Sequence, residues 1–72
     1  MKINEIKKVM SQVFELDLSI IPDDASVENV DNWDSMAHMK LIIALEKQFG
    51  VTFNEEQIAK SLSLEAFKKI LS

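Results

Sequence analysis

The chain has 72 residues, a net charge of −4, eight cations that are all Lys, and no Cys. A single domain of this size buries a modest core and is marginally stable, and with no Cys neither a disulfide nor a cysteine zinc site reinforces it. One Gly and one Pro exclude a turn-rich β protein, and the longest apolar run, residues 41–45, is far too short to span a membrane.

The opening MKINEIKKVM alternates charged and apolar residues and is not a secretory signal. Lack of Cys fits a reducing compartment, so a cytoplasmic location is expected. Ile3, Ile6, Val9, Met10, Val13 and Phe14 recur at helical spacing, with Lys2, Glu5, Lys7 and Lys8 on the other face. This predicts a first helix over residues 2–15.

Residues 16–34 form a long connection, turned at Pro22-Asp23-Asp24. Leu16, Leu18, Ile20, Ile21, Val27, Val30 and Trp33 lie along it, and a loop that apolar is expected to pack back on the bundle. No Lys falls between Val9 and Met39, whereas Glu15, Asp17, Asp23, Asp24, Glu28, Asp31 and Asp34 all do. Such a stretch repels nucleic acid. It suits basic protein partners, or is simply a solvated loop that keeps the chain soluble.

NWDSMAHMKLIIALEKQFG then reads as one helix, from Asp34 or Ser35 to Phe49, with Gly50 as a stop able to take positive φ. At 100° per residue, Met36, Met39, Leu41, Ile42, Ile43, Leu45 and Phe49 cover one broad arc, which predicts a central helix packed on several neighbours. Ala37, Lys40, Ala44, Lys47 and Gln48 fill the remaining face. Thr52-x-x-Glu55 and Asn54-x-x-Gln57 are capping-box spacings, so a short third helix begins near residue 54. Ser61 or Ser63 caps a last helix bearing Leu64, Phe67, Ile70 and Leu71. The sum is an all-α fold over residues 1–72, a small four-helix bundle with a long first loop and a short third helix. Phe14, Phe49, Phe53, Phe67 and the Met residues are its expected core or core edge.

Asp34-Ser35 admits two readings. Both residues are good helix caps. A helix start also carries free N–H groups and partial positive charge, which stabilise an anion such as a phosphodiester on an exposed serine. His38, the only His, lies one turn on. It reads as half-buried with its ring on the core, or as a contact to a phosphate. A Ser–His–Asp hydrolase is disfavoured, because adjacent Asp34 and Ser35 cannot form that relay.

Trp33-Asp34-Ser35-Met36, an apolar helix of about four turns, and Leu45-Glu46-x-x-Phe49-Gly50-Val51 together resemble the acyl carrier proteins, over the whole chain. The resemblance implies a non-catalytic carrier with 4′-phosphopantetheine from coenzyme A on Ser35. A phosphopantetheinyl transferase using Mg²⁺ would install it, with Asp34 helping to dock that enzyme and its metal. Met36 stands where these carriers have an exposed Leu; a partly buried helix-start residue is the plainer reading. Acyl- or aminoacyl-loading ligases and transferases are the other implied partners.

Carriers of housekeeping fatty acid synthesis have an acidic second helix. Here Lys40 and Lys47 share one stripe, so a dedicated lipid, polyketide or related pathway is expected, with Asp34, Met36, Lys40, Ile43 and Lys47 as partner-recognition residues. The alternative is that both Lys residues are merely solvated. Starting at Met1 and ending just past the last helix, the chain is expected to be a complete, free-standing, monomeric carrier rather than a piece of a synthase. An aminoacyl or peptidyl carrier of the D-alanyl type, and an unmodified helical adaptor, are the alternatives.

Overall fold

The computed structural model describes residues 2–71. Met1, Ser72 and the side chain of Lys2, which the periodicity assigns to the polar face of the first helix, lie outside the described residues. Among the described residues four α-helices make up the bundle: α1 (Lys2–Phe14), α2 (Ser35–Phe49), α3 (Glu55–Lys60) and α4 (Leu64–Leu71). The all-α architecture, the long first loop and the short third helix match the sequence reading.

Helix α1 buries Ile6, Val9, Met10 and Phe14 and packs on both α2 and α4. It stops one residue earlier than its periodicity suggests, because Glu15 takes a left-handed backbone with φ 56°. That turn lets the Leu16 N–H reach back to the Ser11 carbonyl at 3.1 Å, a bond of Schellman type closing the helix end. The Ser11 hydroxyl returns a bond of 2.6 Å to the Leu16 carbonyl.

The long loop is fastened at defined points rather than along its length. The loop packs back on the bundle through buried Ile21, Ala25, Val30 and Trp33, while Leu18, Ile20 and Val27 are exposed. Asp17 caps a 3-10 turn at Leu18–Ile20. The Ser19 N–H and hydroxyl donate to its carboxylate and hold it below the ordinary carboxyl range. Asp23 pairs with Lys7 of α1, whose hydrogen bond and charge lower the Asp23 carboxyl likewise. Further on, Val27 N–H donates to the Leu62 carbonyl at 3.1 Å and Leu64 N–H to the Ala25 carbonyl at 2.8 Å. These bonds frame a single antiparallel bridge between Ser26 and Ser63, tying the loop to the α3–α4 junction. Asn32 Nδ2 donates to the Phe14 carbonyl at 2.8 Å, joining the end of α1 to the start of α2.

Helix α2 ends at Gly50, whose φ of 65° costs little without a Cβ. Its buried face is narrower than the predicted arc. Leu41, Ile42 and Leu45 are buried, and Ala37, Ala44 and Phe49 pack beside them, half-exposed. Met36, Met39 and Ile43 face outward instead. Ala37 and Ala44 thus lie on the side of α2 that packs on the core, together with Leu41, Ile42 and Leu45.

Of the two candidate capping boxes, Asn54 and Gln57 form the reciprocal pair that starts α3. Ser63 caps α4, its Oγ accepting from Ala66 N–H at 3.1 Å. Ser61 is fully buried, and its hydroxyl donates to the Gln57 carbonyl. An aromatic series crosses the core. Trp33 packs on Phe14 and Phe67 with centroids 5.4 and 6.2 Å apart, and Phe53 meets Phe67 edge-on at 5.9 Å.

Phe67 is fully buried at the centre of this series, so Phe67→Ala should cost roughly 3–5 kcal/mol. That is most of what a domain of this size has, and the chain should be largely unfolded at physiological temperature by circular dichroism. Half-buried Phe49 packs on the core edge, so Phe49→Ala should leave a cooperative transition at lower temperature. An equal loss from both substitutions would contradict the ranking of these sites.

Candidate functional site at the head of α2

Asp34 sits just outside α2 with an extended backbone, φ −98° and ψ −174°. Its Oδ1 accepts from Ala37 N–H at 2.8 Å, and its carbonyl accepts from His38 N–H at 2.8 Å. Asp34 is therefore a true N-cap, and Ser35 is the first helical residue, with an exposed side chain. First-turn N–H groups have no intrahelical acceptor, so the local field at Ser35 favours a negative charge. The cap reading of Asp34 and the anion-favouring reading of Ser35 coexist.

Ser35 borders a groove of about 350 Å³ whose other walls are Val27, Trp33, Asp34, His38 and Leu62. Three of these are apolar. Val27 and Leu62 are exposed on its rim, and their backbones are joined by the loop-to-junction bond. Neither was singled out as a site residue in the sequence. They meet Ser35 only because a bridge far along the chain brings them there.

Trp33 and His38 form the inner wall. Trp33 Nε1–H donates to His38 Nδ1 at 3.0 Å, and the rings stack with centroids 6.0 Å apart. With Nδ1 accepting, Nε2 carries the proton and donates to the Ile58 carbonyl of α3 at 2.8 Å. His38 is half-buried and rests on Phe67, centroids 6.2 Å apart. Both ring nitrogens are thus engaged away from Ser35, and a Ser–His–Asp relay is not formed.

The remaining site residues lie on the outer face of α2. Met36 is 72 % exposed and Ile43 51 %, with Met39 between them at 47 %. Lys40 and Lys47 are exposed beside this strip. Glu46 takes no part in it, because its carboxylate accepts from Phe53 N–H at 2.9 Å and braces the α2–α3 turn.

These features fit an arm attached through a phosphodiester: an accessible serine hydroxyl, a helix start that favours the anion, and an apolar groove at its side. The comparisons agree. The family model described as "Phosphopantetheine attachment site" matches residues 4–71. The chain is also similar to polyketide-8 synthase acyl carrier protein 2 of Streptomyces avermitilis, 25% identical over 68 residues, covering 94% of this chain and 78% of that protein. The chain belongs to the phosphopantetheine-attachment family, as a non-enzymatic carrier whose cargo rides on a covalent 4′-phosphopantetheine arm and which works with a phosphopantetheinyl transferase and acyl-handling enzymes.

Proposed function

We propose that Ser35 bears the arm and that this is a monomeric, cytoplasmic acyl carrier serving a dedicated pathway. The observation that carries the site assignment is the exposure of Ser35 on the first turn of α2, beside a groove it helps to line. In the attachment, Ser35 Oγ bonds to the β-phosphorus of coenzyme A. The pyrophosphate bond breaks, adenosine 3′,5′-bisphosphate leaves, and the serine proton passes to a base of the transferase. Asp34 uses Oδ1 for its cap, which leaves Oδ2 for the docking transferase and its Mg²⁺. No helix among the described residues is long and apolar enough to cross a membrane. Likeness to a polyketide synthase carrier favours an acyl over an aminoacyl cargo.

The outer face of α2 supports dedicated partners. Asp34 and Glu46 both accept internal hydrogen bonds, whereas Lys40 and Lys47 are exposed beside Met36 and Ile43. A partner matching this face offers apolar contacts flanked by acidic groups. A basic patch built for an acidic helix meets like charge here.

Wild type incubated with coenzyme A and a broad-specificity transferase should gain one phosphopantetheine mass. Ser35→Ala should gain none and keep its helical circular dichroism. Modification of Ser35→Ala would overturn the site assignment. Arm-ejection mass spectrometry on protein from its host then reads the cargo.

Wild type, once loaded, should be a poor substrate for a housekeeping ketosynthase or malonyl transferase. Lys40→Glu/Lys47→Glu should improve turnover, mainly through association, with the gain shrinking at high salt. A double variant that gains nothing would sink the dedicated-partner reading and leave the carrier assignment intact.

A further inference from the structure

We propose that His38 seals the inner wall of the groove beside Ser35, so that the thioester cargo stays outside the helical core, and that the residue at position 38 decides whether this carrier shelters its cargo. The inference rests on Ser35 as the attachment point. From Ser35, the inward path passes Trp33 and His38 and meets Phe67 behind them. Entry there requires the His38 ring to swing away.

Four contacts oppose that swing. The ring is tied to Trp33 through Nδ1, to the Ile58 carbonyl through Nε2, and is packed on Trp33 and Phe67. The two hydrogen bonds come from different elements, the loop before α2 and helix α3. An incoming chain that parts α2 from α3 would strip the Ile58 carbonyl of its donor, and one that displaces the ring from Trp33 would strip the indole N–H of its acceptor. An acyl chain offers neither a donor nor an acceptor in exchange. The outer groove asks for no such loss. Val27 and Leu62 already present apolar surface to solvent, and a flexible arm laid between them buries it without breaking a bond.

The same geometry explains why size at position 38 matters more than polarity alone. A short side chain there removes the plug and both polar ties at once. It leaves a space walled by Trp33, Ile58 and Phe67 and opening toward Ser35.

The test compares acetyl- and octanoyl-loaded protein, each made by transfer of the acylated arm from the matching acyl-coenzyme A. Intact mass is read first. Failure to load marks failure of the Ser35 reading and takes this inference with it. On loaded wild type, ¹H–¹⁵N spectra of the two forms should differ only around the groove, at Val27, Ser35 and Leu62. Thioester cleavage by hydroxylamine should run at equal rates in both forms. Octanoyl-specific shifts at Leu41, Ile58 and Phe67, or slower cleavage of the octanoyl form, would overturn the proposal by the wild-type measurement alone. In His38→Val and the shorter His38→Ala, those core shifts and that protection should appear. A folded His38→Val or His38→Ala protein without them would show that position 38 is not the determinant.

Discussion

The hydrogen-bonded chain from Trp33 through His38 to Ile58 links three elements of the molecule through one side chain. Trp33 belongs to the loop, His38 to α2 and Ile58 to α3, and the shared imidazole fixes all three relative to Ser35. A half-buried imidazole with both nitrogens matched is rigid for an electrostatic reason. Every reorientation leaves a donor or acceptor without a partner in a region of low dielectric. α3 has only six residues and cannot be stable alone. It is held by its Asn54–Gln57 box at one end and by His38 along its side. The position of Ser35, the proposed attachment point, and the seating of the shortest α-helix described therefore both involve one side chain.

The charges divide by position. Three acidic groups in the first half of the chain serve the fold: Asp17 caps a turn, Asp23 clamps the loop to α1, and Asp34 starts α2. Glu46 does the same later in the chain. Asp24, Glu28 and Asp31 are left exposed on the loop. On α2 itself the outward charges are the two lysines. Formal net charge is thus a poor guide to what an approaching enzyme meets at this helix, because most of the acidic residues lie off its outward face.

Helix boundaries were legible wherever a local signal set them. Gly50 stops α2, Asn54 and Gln57 start α3, and Ser63 starts α4, each through bonds within a few residues. The place of Ser35 on the first turn of α2 was legible because it follows from the cap before it. What stayed hidden was set by contacts distant in sequence. Periodicity placed Met36, Met39 and Ile43 with the core residues, since all are apolar, and could not tell that Ala37 and Ala44 would turn inward instead. Nor could it show that His38 reaches twenty residues ahead to the Ile58 carbonyl. The buried Ser61 looked like a cap; its hydroxyl is satisfied by the Gln57 carbonyl one turn back, which lets a polar residue sit inside the bundle.

The two faces of α2 answer opposing demands on a small domain. The inner face must be fixed, since a carrier that loosens around its attachment point loses a definite orientation for the arm. Short aliphatic residues and a doubly bonded imidazole meet that demand. On the reading proposed above, the outer face fits several enzymes in turn. Met36 and Met39 are suited to it, because an unbranched thioether reshapes at low cost and gains dispersion energy with many partners. Exposed together with Ile43, they form a continuous apolar strip rather than scattered residues, and such strips on a soluble surface mark contact sites. The exposed lysines beside it hydrate the strip and, on the proposed reading, select the charge of what covers it. On that reading stability resides on the side of the helix that carries Leu41, Ile42, Leu45 and His38, and recognition on the side that carries Met36 and Met39, with Ser35 at the end where both faces meet.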